Sequence, residues 1–598
     1  MYLDIFIAAI SAVLFVAQSS LVGLAIITAL NPRGEIDGLA YNRYLMLFFS
    51  ATTGLVVNLL VLFALGIFGW LNPAAIAVGA CALFFLAAWI IRHDSRYLLP
   101  TISNWKYTDG LILVALLLGS IVAAIHPPGH WDDTMYHLPL ARYYLEQKAI
   151  VVNDYLRFPL FPQYGDLLVM LGLMLGHEVG AQLFATIPLL LICIGLFGAS
   201  LWKTRSLIVG MIAIYFLYRL GPVKSTLGYA YIDNTLALFS WGAVLALVMP
   251  KTSISFKWIL ISGFFAGAAA GSKYFGLVLA GLMFLYILLF QRNIKMLVMF
   301  SGAAILTGVW WYVRNIVIAG DPFHPAGGSV FGYYLWNAAD LKLQVSEQAR
   351  HGVSPTSLNI FAALGKAKAK SLILAIVSLL IFKLPKALKP MRALFIAYIV
   401  FWFFVTQVER YLAPVYGVGV FLSAYVLYWA VWRGPVSQYF IGKGKLGGQA
   451  FAIVVALVFA TVIFSAPLKR ARWSIVDWQR DYKDQPGHHL FSKANNSIDT
   501  YGDRMLQIGF ENAIYYFNGT VIGDWYGPGR YRQFFVGKGA RRSLLPPKKM
   551  LQVMHHFDAS ILTLSKKRNI KFSRDDYLKY FDVFSEDKYG LVLIKKRL

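Results

Sequence analysis

Apolar runs of membrane-crossing length recur along most of this chain, and no other feature constrains its fold as strongly. A backbone in lipid has no water to bond to, so it crosses as a helix, which takes roughly 20 apolar residues per bilayer core. That length rule predicts about fourteen spans, near 4–30, 45–69, 73–91, 110–125, 180–201, 206–220, 232–249, 256–271, 275–290, 296–317, 369–383, 392–407, 414–432 and 450–467. Composition agrees. Only 14% of the 598 residues are charged and 58% are hydrophobic, with mean hydropathy +0.60, where a soluble chain carries about 25% charged residues. The expected class is a polytopic α-helical membrane protein.

The formal net charge is +26 and the pI near 9.8. The placement of that charge argues against nucleic acid as the partner. Lys and Arg crowd the short loops on one side of the alternating runs: Arg33 and Arg43, Arg92, Arg96 and Lys106, Lys203 and Arg205, Lys251 and Lys257, Arg292 and Lys295, Lys383, Lys386, Lys389 and Arg392, then Arg433, Lys443 and Lys445. The opposite short loops hold Lys224, Lys273 and Arg410. Lys366, Lys368 and Lys370 depart from the pattern, in a long loop where the rule weakens. The basic side is expected to be cytoplasmic, which puts the N-terminus and the loop around His130–Tyr144 outside. Anionic head groups of the bilayer and a phosphate-bearing substrate are the expected partners. The first run lacks a basic leader and a small-residue cleavage site, and reads as a retained helix. Cys81 and Cys193 both fall inside apolar runs, which leaves no disulfide framework.

Two outer loops, 126–179 and 318–368, far exceed the usual connection of a few residues and carry Trp, Tyr and Pro, which marks them as functional. Within the first, Thr134–Lys148 is expected to form an amphipathic helix in the interface, with Met135, Leu138 and Leu145 toward lipid. From 468 to 598 the apolar runs shorten. Strands are expected at Arg504–Phe510, Val521–Trp525, Ala559–Leu564 and Gly590–Lys595, and helices at Pro547–Phe557 and Arg574–Phe584. That alternation describes a small C-terminal α/β domain, on the outer side.

The residues that could carry chemistry gather at the outer ends of the runs. Asp132 and Asp133 follow Trp131 and precede Tyr136 and His137. A carboxylate at a membrane surface can take a proton from a hydroxyl nucleophile; the competing role is helix capping, which suits Asp133 better than Asp132. Asp233 in Gly-Tyr-Ala-Tyr-Ile-Asp has the same two readings. Lys273, Arg314 and Arg410, with Tyr274 and Tyr411 beside them, either snorkel to head groups or clamp a phosphate. His130, His137 and His324 have no metal-ligand spacing. Neither a phosphate-cradling glycine loop nor a Gly-x-Ser-x-Gly elbow is present, which disfavours a nucleotide-consuming or serine-hydrolase reaction.

These motifs resemble those of bacterial GT-C glycosyltransferases, the superfamily of protein O-mannosyltransferases and the lipid A aminoarabinose transferase. The resemblance rests on Trp131-Asp132-Asp133 with Tyr136-His137-Leu138-Pro139, Gly271-Ser272-Lys273-Tyr274, Trp311 to Asn315, Gly320 to Pro325, and Arg410 to Pro414. It spans about 110–598, so 1–109 holds three helices extra to the usual core. The usual Asn of Gly-Asn-Pro is Asp321 here. The resemblance implies a GT-C-like bundle over 110–467 and a polyprenyl-phosphate-linked sugar donor at the outer face of a bacterial inner membrane. It implies transfer with inversion to a glycan, lipid or protein acceptor. Asp132 would be the base, with Asp133 and Asp233 as further acids. Trp131, Tyr136, His137, Lys273, Tyr274, Arg314, Arg410 and Tyr411 would bind substrate. Some members of the superfamily need a divalent metal and others do not. A transporter of lipid-linked sugars is the rival reading; it should keep its charges near the bilayer midplane.

Overall fold

The computed structural model describes residues 2–30, 42–93, 105–249, 256–380, 384–432 and 487–596, less 538–542 and 569, with isolated positions between 458 and 485. Among the described residues nine helices are long and apolar enough to cross a membrane, and four shorter apolar helices join them. These thirteen coincide with the first thirteen expected spans. The run near 450–467, expected as a fourteenth, lies outside the described residues. The protein is a multi-pass membrane protein.

The N-terminal helices α1 (Tyr2–Leu30) and α2 (Arg43–Ile67) cross at contact distance. A Cβ on Gly23 would stand 1.8 Å from the Ser50 carbonyl oxygen, and one on Gly54 1.8 Å from that of Ser19. Small residues at a crossing let two backbones approach where lipid offers no hydrophobic drive. Asn58 then reaches across to Gln18 at 2.8 Å and Ser19 at 3.1 Å. Both helices belong to the same apolar core as the rest of the bundle.

Two further helices, α3 (Pro73–His93) and α4 (Tyr107–Ala124), precede the first outer loop. That loop is more structured than the sequence indicated. A single π turn, Asp133–His137, runs into α5 (Leu138–Gln147). Met135 and Leu138 are fully buried in the protein core rather than facing lipid, and Leu145 packs against that core. The correction follows from what covers the helix: the C-terminal domain and the next helix replace the lipid the amphipathic pattern was assigned to. Helix α6 then runs over Tyr164–Thr204, 41 residues. At 1.5 Å per residue that is about twice a bilayer core, and the helix breaks at Gly176 and His177, the latter with φ +52°. Residues before the break help build the candidate site; residues after it make the span.

The bundle continues through α7 (Ile208–Arg219), α8 (Asp233–Val248), α9 (Phe256–Ala270), α10 (Tyr274–Tyr286) and α11 (Ile294–Ala319). The second outer loop holds α12 (Ala338–Ala349), capped by Asn337. Helices α13 (Leu388–Val405) and α14 (Tyr416–Trp432) follow, joined by a 3-10 turn at Glu409–Val415.

The C-terminal unit is a five-stranded sheet of order β2-β1-β5-β7-β6, built from β1 (Arg504–Ile508), β2 (Thr520–Ile522), β5 (Ile561–Ser565), β6 (Phe581–Glu586) and β7 (Gly590–Lys595). A two-stranded ladder of β3 (Phe535–Val536) and β4 (Ser543–Leu544) stands beside it. β1 pairs in parallel with β2 and β5; β7 runs antiparallel to β5 and β6. Side chains alternate between two buried faces, as a pleated strand requires. Met505, Ile561 and Val592 face the membrane unit's core, while Leu506, Leu562 and Leu593 face α15 (Pro547–His556). Two expectations fail here. Helix Arg574–Phe584 is a five-residue turn of helix followed by β6, because pairing with β7 captures the Phe-Asp-Val-Phe stretch. Strand Val521–Trp525 ends at Ile522, since Gly523 turns the chain and sends Asp524 toward the first outer loop.

Candidate active site

A cavity of about 200 Å³ opens where the first outer loop, the second outer loop, the turn before α14 and the C-terminal unit meet. Four charged side chains define its inner end. Asp132 Oδ2 accepts from Arg410 Nη1 at 2.5 Å and from the Tyr136 hydroxyl at 2.6 Å. Asp132 Oδ1 takes neither bond. Lys273 Nζ donates to Asp233 Oδ1 at 2.8 Å, and Arg410 Nη1 stands 3.6 Å from Asp233 Oδ2, which is buried with no hydrogen bond. Arg410 therefore bridges two carboxylates brought together from the first loop and from the start of α8, about a hundred residues apart.

The turn that presents Asp132 is fixed from outside. The Tyr231 hydroxyl accepts from the Asp132 backbone N–H at 3.1 Å, pairs with His130 Nδ1, and its ring lies under the Arg410 guanidinium at 5.2 Å. His137 Nδ1 meets Asp166 Oδ1 at 2.6 Å in a buried pair. Burial alone would raise the Asp132 carboxyl, but the Arg410 charge and the bonds from Tyr136 and Arg410 outweigh it and hold it well below the usual carboxylate range. It is a carboxylate.

Asp133, one residue on, is its opposite. Both oxygens are buried without a hydrogen bond of good geometry, close to the backbone of Gly129, Ala230 and His130. Burial pushes its carboxyl up to about 8, so it is held neutral, and it does not line the cavity. Neither acid caps the turn with its side chain; Asp233 likewise opens α8 without capping it and spends its oxygen on Lys273.

The structure brings Asp132, Tyr136, His137, Lys273, Arg410 and Tyr411 to the cavity lining, with Asp233 bonded just behind. It places three others elsewhere. Trp131 is 40% exposed beside the turn. Tyr274 donates to the His324 carbonyl at 2.7 Å. Arg314 donates to the Pro159 carbonyl at 3.0 Å, and Asn315 to that of Leu160 at 2.6 Å. Arg314 and Asn315 clip the 158–163 segment, which supplies the cavity's Phe158, Phe161 and Gln163, to α11. Arg314 thus positions a wall and does not reach the cavity.

Sequence reasoning missed Tyr231, Asp166, Arg157 and the polar face of α12. Tyr231 lies two residues before Asp233 and could have been weighed with it. Asp166, an acid within a long loop, was a weaker signal of the same kind. Arg157 is legible only with its partner: its guanidinium pairs with Asp524 from the C-terminal unit, Nε to Oδ2 at 2.9 Å. Among the described residues no three of His, Cys, Asp or Glu gather as a metal-ligating group. Asp132 and Asp233 are already spent on cations, so the residues present do not fit a divalent ion.

Bundle, broken helix, outer loops and C-terminal unit together define a membrane protein with the GT-C glycosyltransferase fold. The solved structure of ArnT from Cupriavidus metallidurans bound to undecaprenyl phosphate superposes with a TM-score of 0.51 at 13% identity, covering 82% of this chain and 98% of that one. The same protein in its apo state gives 0.52. Among sequences, the chain is 43% identical over 190 residues to uncharacterized protein SF2093/S2215 of Shigella flexneri, 31% of this chain and 92% of that one. It is 39% identical over 169 residues to uncharacterized protein SF2092/S2214 of the same organism, 28% and 88% of the two chains. A family model described as SF2091/S2213 matches residues 477–594. The chain belongs to the family of these Shigella flexneri proteins.

Proposed function

We propose that this protein is an inverting glycosyltransferase that moves a sugar from a polyprenyl-phosphate donor to an acceptor hydroxyl at the outer face of a bacterial inner membrane. The observation that carries the reading is the Asp132–Arg410–Asp233–Lys273 cluster, set in an aromatic-lined cavity at the ends of apolar helices. A solved relative in fold holds undecaprenyl phosphate, which supports the class of donor.

The acceptor hydroxyl approaches Asp132 Oδ1, the oxygen left open by Arg410 and Tyr136. Its oxygen bonds to the anomeric carbon while its proton passes to the carboxylate. The bond from that carbon to the phosphate oxygen breaks, and polyprenyl phosphate leaves with the electron pair. Lys273 and Arg410 face the new charge. A carboxylate held this far below its ordinary range is a weak base. An arriving phosphate that draws Arg410 toward itself restores that basicity, coupling donor binding to base strength. The charges sit at helix ends, not at the middle of the spans, which favours chemistry over transport.

Membranes bearing Asp132→Asn and supplied with radiolabelled polyprenyl-phosphate sugars test the base. The expected loss is roughly 10²–10⁴-fold in transfer, with donor binding retained. Undiminished transfer removes Asp132 from the role. Passage of lipid-linked sugar across the membrane by a wild-type protein that transfers none establishes the transporter instead.

A further inference from the structure

The outer half of the cavity has a chemistry distinct from its charged inner end. Gln344, Glu347 and Gln348 of α12, with His351 just beyond it, line the cavity at a spacing of i, i+3, i+4 and i+7. That spacing puts the three helical residues on one face, and His351 follows in the turn after it. Glu409 lies opposite, with its carboxylate 3.7 Å from His351 Nδ1. The half-buried ring of Phe158 closes the side. Resting on the glycosyltransferase reading, we infer that this face of α12 is the binding subsite for a neutral saccharide acceptor. Gln344, Glu347 and Gln348 read its hydroxyls.

Three observations support that occupant. Glutamine side chains both donate and accept, and a carboxylate accepts, which matches sugar hydroxyls that do both. Phe158 and Phe161, stacked on each other at 4.4 Å, give the lining an apolar flank for the C–H groups of a sugar. On the lining Arg157 is paired with Asp524 and His351 faces Glu409, which leaves Glu347 and Glu409 as an acidic excess that disfavours an acidic sugar. A peptide acceptor would want a strand edge or a row of apolar pockets, and α12 offers neither.

The C-terminal unit sets this face in place. Asp340, in the first turn of α12, takes Arg530 Nη2 at 2.6 Å, and Arg530 also donates to the Leu335 carbonyl at 3.2 Å. The Tyr526 hydroxyl donates to Glu347 Oε2 at 2.5 Å, while its ring is stacked on Trp336 at 4.5 Å and lies under the Arg157 guanidinium at 4.9 Å. Glu347 is thus aimed by a residue nearly two hundred positions away. Tyr526 is a positioning residue; Gln344, Glu347 and Gln348 are the contacts.

The test uses the full chain in nanodiscs and fluorescently labelled neutral tri- and tetrasaccharides of hexose and N-acetylhexosamine. A matched series carries one uronic acid unit. The wild type should bind a neutral member at least about ten-fold more tightly than its uronate counterpart. Gln344→Ala with Gln348→Ala should weaken neutral binding about ten-fold without lowering the melting temperature. Glu347→Gln should narrow the discrimination against uronate. Tyr526→Phe, which keeps the stack and loses the bond to Glu347, should shift the same discrimination. The inference is overturned if no saccharide binds, if uronates bind equally well, if hydroxyl-bearing peptides bind in place of saccharides, or if the glutamine pair can be removed without effect. Transfer is measured separately: saccharide binding with no transfer from any polyprenyl-phosphate donor leaves the subsite standing and sinks the glycosyltransferase reading.

Discussion

Asp132 and Asp133 are adjacent in sequence, both buried, and electrostatically opposed. One has a guanidinium on it and is ionised; the other is fully buried against backbone, with the charge of Glu178 near enough to oppose its ionisation, and is held neutral. The difference follows from partners the sequence does not place near them, Arg410 from beyond α13 and Tyr231 from before α8. The acids could be read as candidates from their setting beside Trp131 and Tyr136. Which of them keeps its charge could not. The pH consequence of Asp133 follows by linkage. Below about pH 4 the carboxyl is protonated in folded and unfolded chain alike. Between there and about 8 the unfolded chain has released the proton and the folded chain keeps it. Stability from this group therefore falls as pH rises across that window and levels above it. Asp133→Asn removes the slope. The variant should be the more stable protein at pH 8 by on the order of 5 kcal/mol, with little difference at pH 4. Thermal unfolding in nanodiscs across that range reads it, and parallel curves for the two proteins would refute a neutral Asp133.

At the scale of elements, the spans were legible because lipid imposes a length and a composition on every crossing. Where protein replaces lipid the same pattern misleads, as at Met135 and Leu138, whose apolar face meets other helices. The broken helix α6 shows the other limit: its outer half looked like loop because it carries Tyr164, Gly165, Asp166 and the Gly176–His177 break. The apolar run between them, Leu167–Leu175, is too short to cross a bilayer, so the length rule passes over it. The α1–α2 crossing was invisible for a different reason, since Gly23 and Gly54 acquire meaning only when the helices are seen to touch. Gly54→Leu drives a side chain into the Ser19 carbonyl. It should separate the helices and lower the unfolding temperature markedly, whereas Gly110→Leu, whose Cβ meets nothing within 4 Å, should not. Equal melting temperatures for the two variants would mean that the close crossing does not form.

At the scale of the whole molecule, contacts decide which elements share a side of the membrane with the site. The fold alone leaves two orientations. The C-terminal unit and the first outer loop are on the same side by direct contact and not by counting helices. Arg142 donates to the Tyr515 and Phe517 carbonyls at 2.8 and 2.6 Å, the Tyr516 hydroxyl donates to the Pro128 carbonyl at 2.6 Å, and Thr134 donates to that of Asn512 at 2.6 Å. The side of the C-terminal unit is therefore the side of the cavity, whatever the number of spans. Charge sets the expectation. The loops at the far ends of the helices carry Arg205, Arg292, Lys386 and Lys389, and basic loops stay cytoplasmic. In a Cys81→Ser background, Lys579→Cys places a thiol on the exposed surface of the C-terminal unit and Lys386→Cys places one in a far loop. Cys193 is buried and stays silent. A membrane-impermeant maleimide added to intact spheroplasts should label the thiol at position 579 and spare the one at 386 until the membrane is lysed. The opposite pattern would put the cavity in the cytoplasm, where a donor carried on the outer leaflet could not reach Asp132, and the outer-face reading would fall with it.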